Sequence, residues 1–279
     1  MSTTSLAQLP IGIFDSGMGG LTVLRALTQQ LPDESFIYLG DTARLPYGTK
    51  SQDTVVRYAA QITNMLLHYQ VKCVVVACNT ATAAALPYLQ QTFPQLLITG
   101  VIEPSAKKAV QATQSNQIAV LATETTIQQA SYQTTIQALN PRVQIITRAC
   151  SVFVSLAEEG WHQNDVSLAA ARLYLLPLLA DFPNIDQVIL GCTHFPVLIP
   201  LLTSMLPKSV QIVDSATAMA NTLTQLLQER QLSAPPASHP TTGHTTFLVT
   251  DSPQRFARIG QFFYGQTIPL STIELIDLQ

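Results

Sequence analysis

Short apolar runs alternate with stretches of helical periodicity along most of the chain, and this alternation restricts the possible folds more than any other feature of the sequence. The runs at 11–14, 74–77, 118–122 and 187–190 are rich in Val, Ile and Leu and end at small or polar residues. Such runs are typical of strands buried on both faces, and strands that alternate with helices form parallel sheets. The sequence therefore predicts an α/β fold built on doubly wound parallel sheets.

Two of these runs lead directly into a cysteine. Cys78 follows the run at 74–77, Cys192 follows the run at 187–191, and each cysteine precedes amide, hydroxyl or imidazole side chains. Ligands of open α/β sheets bind at the carboxyl ends of the strands, which is where both sulfurs are expected. The two cysteines are too distant in the sequence to belong to one metal-binding motif of closely spaced residues. They therefore indicate one reactive sulfur in each of two similar halves.

The second half of the chain repeats the organisation of the first. The strand at 118–122 resembles the opening strand, and a hydroxyl-rich turn after it leads into a helix predicted over 126–139, much as the turn at 15–20 leads into a helical pattern. A chain of 279 residues is long enough for one large domain or two of roughly 100 to 150 residues. This similarity predicts a quasi-duplication, with a cleft between the strand ends of the two halves.

Local signals place several further elements. Ser51 and Asn164 are predicted to cap helices, and a strand over 98–102 is predicted to precede a helix over 105–112. The proline-rich stretch 233–245 is predicted to be a loop.

Charge and hydropathy argue against two classes of protein. The net charge of −3 and the sequence pI of about 5.9 provide no basic surface for nucleic acid. The mean hydropathy is +0.24, yet no apolar run approaches the roughly 18 residues of a membrane-spanning helix. Residues 1–10 lack the basic and apolar segments of a secretory signal. A cytoplasmic protein without membrane contact is therefore expected.

The four cysteines are not expected to form disulfides in a reducing compartment. Neither a CxxC motif nor a cluster of Cys and His with zinc-ligand spacing occurs, so no metal is expected. Cys73 and Cys150 are predicted to be small hydrophobic residues of the core or the surface. Cys78 and Cys192 are left as the candidates for chemistry.

One thiol on each wall of a cleft can act on a carbon atom from both sides. When a thiolate removes a proton from one face and a thiol returns a proton to the other, the stereocentre is inverted, so this pair predicts a racemase. No cofactor motif is present and no Lys lies in a pyridoxal-binding context, so no cofactor is expected. A thiol needs tuning to react at neutral pH, and Asp15, His194 and Glu158 are the candidate catalytic partners.

Many hydrogen-bond donors follow the strands around the predicted cleft. The glycine-rich turn at 15–20 precedes a helix and favours an anion, although a plain tight turn has the same sequence. The candidate substrate-binding donors are Ser16, Tyr47, Gly48, Asn79, Thr80, Thr193 and His194. So many donors suit a compact dicarboxylate better than an apolar substrate.

Two other functions stay open on the residues alone. A non-catalytic amino-acid binder would use the same donors and keep both cysteines as incidental core residues. A hydrolase with a single cysteine nucleophile would need an oxyanion hole and would form an acyl intermediate.

Several stretches, taken together, resemble the signature motifs of bacterial glutamate racemases, which belong to the aspartate/glutamate racemase superfamily. These stretches are 14–21, 40–48, 77–81, 158–160 and 191–196, with an extension at 213–215. They occur in the family's order and with family-like spacing, and they are specific as a set.

The resemblance implies a cofactor-independent interconversion of L- and D-glutamate that supplies D-glutamate for peptidoglycan synthesis. It implies that Cys78 handles the proton of the D-enantiomer and Cys192 that of the L-enantiomer, assisted by Asp15 and His194. The resemblance also implies that the substrate contacts fall on Asp15 and on the donors named above.

The resemblance also places Asp41 and Glu158 near the site. It implies two α/β domains with the active site in the cleft between them, the first formed by residues 1–99 plus 212–279 and the second by residues 100–211, with one cysteine in each. A homodimer is implied, and a cell-wall precursor is a candidate activator.

Aspartate racemase is the alternative within the superfamily, because sequence spacing does not measure the size of the cleft. Two positions depart from the family pattern, namely Thr125, where Gly or Ala is usual, and Ala216, where Gly often follows Asp-Ser. Both bear on turn geometry and cleft closure, and neither removes a catalytic group.

Overall fold

The computed structural model describes residues 6–235 and 244–278. The strands are β1 (Ile11–Asp15), β2 (Phe36–Gly40), β3 (Cys73–Val76), β4 (Leu97–Gly100), β5 (Gln117–Ala122), β6 (Gln144–Ala149), β7 (Gln187–Gly191), β8 (Gln211–Asp214), β9 (Thr245–Val249) and β10 (Ile273–Leu275). The helices are α1 (Leu21–Gln30), α2 (Gln52–His68), α3 (Asn79–Thr92), α4 (Ile102–Ala112), α5 (Glu124–Gln128), α6 (Ser131–Leu139), α7 (Val152–Glu158), α8 (Asp165–Asp181), α9 (Ile199–Met205), α10 (Ser215–Glu229) and α11 (Pro253–Tyr264). Short 3-10 turns span Leu6–Gln8, Tyr47–Thr49, Phe195–Leu198 and Leu270–Thr272.

The described strands form two sheets in which every pairing is parallel. The larger sheet has the order β10-β9-β2-β1-β3-β4, and the smaller sheet has the order β6-β5-β7-β8. In each half the first strand lies between the second and the third, and the fourth strand follows the third. The structure thus confirms an α/β fold with two similar parallel sheets.

Helices cover both faces of both sheets. In the larger sheet, α1, α10 and α11 pack on one face, and α2 and α3 pack on the other. In the smaller sheet, α7, α8 and α9 cover one face, and α4 and α6 cover the opposite face. Strands enclosed in this way are apolar at consecutive positions, which explains the unbroken Val and Ile runs of β3 and β7.

Asn164 caps α8 as predicted. Its side chain accepts a hydrogen bond from the backbone N–H of Ser167 at 2.9 Å, and the backbone N–H of Asn164 donates to Ser167 Oγ at 3.0 Å. This reciprocal pair is a capping box. Ser51 precedes α2, but its hydroxyl donates to Thr54 Oγ1 at 3.0 Å instead of capping the backbone.

Two helix predictions were wrong at their boundaries. The helix predicted over 126–139 is broken into α5 and α6 at Ala130, which has a left-handed φ of 52°. The helix predicted from residue 105 begins at Ile102, so the strand predicted over 98–102 ends earlier, at Gly100. Pro104 is tolerated in the first turn of the helix, where its missing N–H costs no hydrogen bond. Of the predicted loop at 233–245, residues 236–243 lie outside the described residues.

Both limits between the two predicted domains pass through a strand. Gly100, which the prediction assigned to the second domain, ends β4 and pairs with Val76 in the larger sheet. β8 pairs with β7, so residues 211–214 belong to the smaller sheet, although the prediction assigned residue 212 onward to the first domain. The chain returns to the other half with α10, which packs with α1. The division into two domains remains our proposal, with its limits moved to follow Gly100 and Asp214.

Across residues 6–235 and 244–278, no helix combines the length and the apolar character needed to cross a lipid bilayer.

Candidate active site

The carboxyl ends of the central strands of both sheets meet at one site. In the larger sheet, Asp15 ends β1 and Cys78 follows the neighbouring β3. In the smaller sheet, Thr123 follows β5 and Cys192 follows the neighbouring β7. In each sheet, the chain continues from the first strand (β1 or β5) to a neighbour on one side and from the third strand (β3 or β7) to a neighbour on the other side. The gap between these two strands is the crevice where open α/β sheets bind ligands.

Cys78 occupies the N-cap position of α3. Its Sγ accepts a hydrogen bond from the backbone N–H of Ala81 at 3.4 Å, and its thiol donates to Ser16 Oγ at 3.8 Å. Burial and the nearby Asp15 carboxylate raise the pKa of Cys78 to about 12, although both hydrogen bonds oppose the rise. Cys78 is therefore a neutral thiol at physiological pH.

The buried Asp15 carboxylate joins the two halves of the site. Its Oδ2 accepts from the backbone N–H of Gly17 at 3.0 Å, and its Oδ1 accepts from Thr193 Oγ1 at 3.3 Å. Thr22 Oγ1 reaches across in the same way and donates to the backbone oxygen of Thr193 at 3.2 Å. The residue that follows Cys192 is thus held directly against the end of β1.

A row of side chains extends from Cys192 to the surface. Its Sγ lies 3.9 Å from His194 Nδ1, and His194 Nε2 donates to Glu158 Oε1 at 3.1 Å. The second carboxylate oxygen of Glu158 accepts from Arg255 Nη2 at 3.1 Å. The ring of Phe263 packs edge-on against the imidazole, with 5.2 Å between the ring centroids.

These contacts set the charge of His194. Burial lowers the pKa of the imidazole, but its hydrogen bonds to Cys192 and Glu158, with the negative charges around it, raise the pKa to about 10. Burial raises the pKa of Glu158, but His194 and Arg255 outweigh that effect and hold it below its usual value. His194 is therefore an imidazolium at neutral pH, with its positive charge beside the sulfur of Cys192.

The glycine-rich turn after β1 allows the His194 side of the site to approach closely. A Cβ atom on Gly19 would lie 2.5 Å from both His194 Nδ1 and Thr193 Oγ1, and backbone packed this tightly admits only glycine. The turn at 15–20, which was predicted to bind an anion, therefore packs against the imidazole of His194.

Tyr47 is held by a buried carboxylate. Its hydroxyl donates a short hydrogen bond to Asp41 Oδ2, and Asp41 also accepts from Arg44 Nε at 2.7 Å and from Thr250 Oγ1 at 3.0 Å. Burial and the Asp41 carboxylate raise the pKa of Tyr47 far above its ordinary value, so the phenol stays protonated. The hydrogen bond to Asp41 thus fixes the orientation of the Tyr47 side chain.

Asn79 and Thr80 begin α3 and face groups from the other half. Asn79 Nδ2 donates to Tyr132 OH at 2.9 Å, while its buried Oδ1 has no hydrogen-bond partner in the part of the chain that the structure describes. Thr80 Oγ1 lies 3.1 Å from the hydroxyls of both Thr123 and Thr126. The first turn of α3 therefore touches the smaller-sheet half through side-chain polar groups.

All of the residues predicted for the site lie in this one region. They are Asp15, Ser16, Asp41, Tyr47, Gly48, Asn79, Thr80, Glu158, Cys192, Thr193, His194 and Cys78. The prediction did not assign site roles to Thr126, Tyr132, Thr250 and Arg255. The hydroxyl-rich turn after β5 pointed toward Thr126, but the other three carry no local sequence signal.

The two remaining cysteines lie in the cores. Cys73 begins β3, Cys150 follows β6, and burial raises the pKa of each thiol to about 12. Among the described residues, no group of three or more His, Cys, Asp or Glu side chains is arranged to hold a metal ion.

Comparisons with known proteins identify the family of the chain. Residues 11–223 match the family model described as Asp/Glu/Hydantoin racemase. A glutamate racemase of Geobacter metallireducens is 45% identical over 255 residues, which cover 91% of this chain and 92% of the relative. The crystal structure of glutamate racemase from Francisella tularensis in complex with D-glutamate matches with a TM-score of 0.89 at 33% identity and covers 98% of both chains. A structure of Escherichia coli glutamate racemase in complex with L-glutamate and the activator UDP-MurNAc-ala matches with a TM-score of 0.71 at 30% identity, over 91% of this chain and 95% of that chain.

Two parallel sheets that each deliver one thiol to a shared polar site define an isomerase of the amino-acid racemase class. The chain belongs to the Asp/Glu/hydantoin racemase family, and its similarity over nearly the full length places it among the glutamate racemases.

Proposed function

We propose that the chain interconverts L- and D-glutamate by direct proton transfer at Cα, with Cys78 and Cys192 as the two acid–base groups. The supporting observation is that each thiol follows the third strand of its own half and that both reach one buried polar site. The hydrogen bond of 3.3 Å between Thr193 and Asp15 holds the two sides together.

The transfer needs one thiolate and one thiol in each turnover. In the L-to-D direction, the Cys192 thiolate takes the α-proton, and the Cys78 thiol donates its own proton to the opposite face of the same carbon. One C–H bond breaks and one forms, which leaves Cys192 as the thiol and Cys78 as the thiolate. The D-to-L direction is the reverse.

The protonation states in the resting site suit this assignment. The raised pKa of Cys78, about 12, keeps a proton on its sulfur. The positive charge of His194 lies next to the Cys192 sulfur, where the reaction requires a negative charge. His194 and Asp15 are the proposed catalytic partners of the two thiols, and Glu158 holds His194 in its charged form.

Polar groups around the thiols are proposed to bind the substrate. The hydroxyls of Ser16, Thr80 and Thr193 and the backbone N–H of Gly48 supply donors for the two carboxylates. The buried Oδ1 of Asn79 has no hydrogen-bond partner among the described residues, and such acceptors are rarely left unpaired. We assign it to the α-ammonium group. Tyr47, Asp15 and His194 complete the proposed set of contacts.

Proton exchange in deuterium oxide tests the reaction directly. The purified protein is incubated with L-glutamate, with D-glutamate and, separately, with L-aspartate, without added cofactor and again with EDTA. We expect glutamate alone to be inverted, with deuterium appearing at Cα of the product enantiomer and with no effect of EDTA. Inversion of aspartate but not of glutamate would assign the chain to the alternative substrate.

Variants of the thiols separate a racemase from a binder or a hydrolase. Cys78→Ala and Cys192→Ala should each lose racemisation by at least about a thousandfold, because each removes the acid or base on one face. Cys73→Ala is the matched control, because its thiol lies in the core outside the site. Retained racemisation in either active-site variant contradicts the two-thiol mechanism, and an acyl adduct in mass spectra indicates a hydrolase.

The cellular setting follows from this reaction. We propose that the protein acts in the cytoplasm and supplies D-glutamate for peptidoglycan synthesis. We also propose that it forms a homodimer and that a cell-wall precursor of the type bound by the Escherichia coli relative activates it. Light scattering and rate measurements with the added precursor test these two points, and a monomer with an unchanged rate would contradict both.

A further inference from the structure

Thr125 makes a hydrogen bond that crosses from one half of the molecule to the other. Its Oγ1, on the first turn of α5, donates to the backbone oxygen of Gly48 at 2.7 Å and lies 3.4 Å from that of Lys50. The Thr125 side chain is buried. Because α5 follows β5 of the smaller sheet and the turn Tyr47–Thr49 follows β2 of the larger sheet, this bond forms only when the halves are closed at this edge.

The surrounding contacts make this edge tightly fitted. A Cβ atom on Gly48 would lie 2.8 Å from the Cβ of Thr123, so the turn packs directly on the residue that precedes α5. On the neighbouring side, the Thr80 hydroxyl lies 3.1 Å from those of Thr123 and Thr126. Thr80, Thr123 and Thr126 form hydrogen bonds with one another's hydroxyls. The Thr125 hydroxyl instead bonds to the backbone carbonyl oxygens of Gly48 and Lys50.

We propose that the Thr125 hydroxyl is a positioning group that holds the turn Tyr47–Thr49 in the place where it receives glutamate. The inference rests on the proposed function, since it concerns binding of the same substrate to the same site. Thr125 acts through the Gly48 carbonyl and does not touch the substrate.

The burial of the site predicts which kinetic parameter Thr125 controls. Asp15, Cys78 and Cys192 are all nearly inaccessible in the closed form, so glutamate enters only when the halves separate. A bond made only in the closed form favours the bound state and leaves the geometry of the thiols unchanged. Its loss should therefore raise KM for both enantiomers and leave kcat nearly constant.

Thr125→Val tests this by removing the hydroxyl and keeping the shape of the side chain. We expect KM to rise about fivefold for L- and D-glutamate, which corresponds to the loss of one ordinary hydrogen bond, with kcat within about twofold of the wild type. Thr125→Ser keeps the donor and should restore KM. Thr134→Val is the matched control, because Thr134 is exposed on α6.

Hydrogen exchange gives a second measurement that needs no turnover. In the protein saturated with D-glutamate, the backbone amides of residues 47–50 should exchange about five times faster in Thr125→Val than in the wild type. Thr125→Ala serves the same purpose if the valine variant does not fold. An unchanged KM with unchanged exchange overturns the role of Thr125, as does a kcat that falls while KM stays constant. Absence of glutamate racemisation in the wild type would overturn the proposed function instead, and the exchange measurement would still decide the role of Thr125.

Discussion

The two thiols lie in unlike surroundings although they occupy equivalent strand ends. Cys78 faces a carboxylate, Asp15, and is kept neutral, whereas Cys192 faces an imidazolium, His194, that is kept charged. A two-base reaction needs one thiolate and one thiol at the same time. In a symmetric site, neither cysteine would be favoured as the thiolate. This asymmetry agrees with the proposed assignment of Cys192 as the base that acts on the L-enantiomer.

Glu158→Gln tests how His194 stays charged. The folded-state pKa of His194 is raised from 6.5 to about 10, so its stabilising contribution is full below about pH 6.5 and is lost as pH rises through about 10. Glutamine removes the charge that supports the imidazolium. We expect the variant to be less stable by about 1–2 kcal/mol at pH 6.5, with the difference shrinking toward pH 10.

Chemical denaturation at several pH values measures this difference. Arg255→Gln is the control, because its exposed ion pair with Glu158 should contribute less than about 1 kcal/mol. The alkaline limb of kcat/KM should also move to lower pH in Glu158→Gln. A stability difference that is constant from pH 6.5 to 10 would show that Glu158 does not act through the charge of His194.

Single residues could be predicted where a strand end supplied the signal. Cys78, Cys192 and Asp15 follow apolar runs, and parallel strands bring such positions to one edge. Thr250 and Arg255 could not be found in this way, because each meets its partner only after distant parts of the chain pack together. Thr250, for example, contacts a residue 209 positions away.

Among the elements, α5 depends most on tertiary contacts. It has only five residues, far fewer than a helix needs to persist alone in water. Its threonines Thr125 and Thr126 contact Gly48 and Thr80 of the opposite half, and the left-handed Ala130 separates α5 from α6. The break lets α5 point its hydroxyls at the opposite half while α6 packs on the sheet.

Ala130→Gly tests whether this break carries backbone strain. Ala130 has φ 52° and ψ 18°, a left-handed conformation that costs residues with a Cβ about 1 kcal/mol or more and costs glycine little. We expect the variant to be more stable by about 0.5–1 kcal/mol in urea denaturation. Ala169→Gly, at an exposed position inside α8, should instead lose about 1 kcal/mol. Equal destabilisation by both substitutions would show that Ala130 is not strained.

Periodicity predicted the existence of most elements but not all of their limits. The runs of β1, β3, β5 and β7 are buried on both faces, so their sequences carry an unmixed apolar signal. The break at Ala130 has no signal in the local sequence, because the contacts that cause it are made by residues far away in the sequence.

At the scale of the molecule, the last segment of the chain completes both sides of the site. β9 pairs with β2 of the larger sheet, and Thr250, directly after β9, donates to Asp41. The helix α11 then carries Arg255 and Phe263 to the opposite side, against Glu158 and His194. The order of the strands could not be read from the sequence, because it is decided by pairings between distant segments.

Binding of glutamate between the halves should stabilise the whole chain. A ligand that binds only the folded state at one hundred times its Kd adds about 2.7 kcal/mol, which corresponds to a rise in Tm of about 5–10 °C for a chain of this size. We expect D-glutamate to produce this rise in thermal denaturation without added cofactor. L-Aspartate at the same concentration should produce a smaller rise, because its chain is one methylene shorter than that of the proposed substrate.

Two variants separate ligand binding from intrinsic stability. Asn79→Ala removes a proposed substrate contact, so the rise caused by D-glutamate should fall to less than half. Asn164→Ala removes the capping box of α8, away from the site, and should lower Tm by itself through a loss of about 1 kcal/mol. Because α8 does not touch the substrate, the rise caused by D-glutamate should stay complete in that variant. A rise that shrinks equally in both variants would mean that glutamate binds outside the cleft between the two sheets.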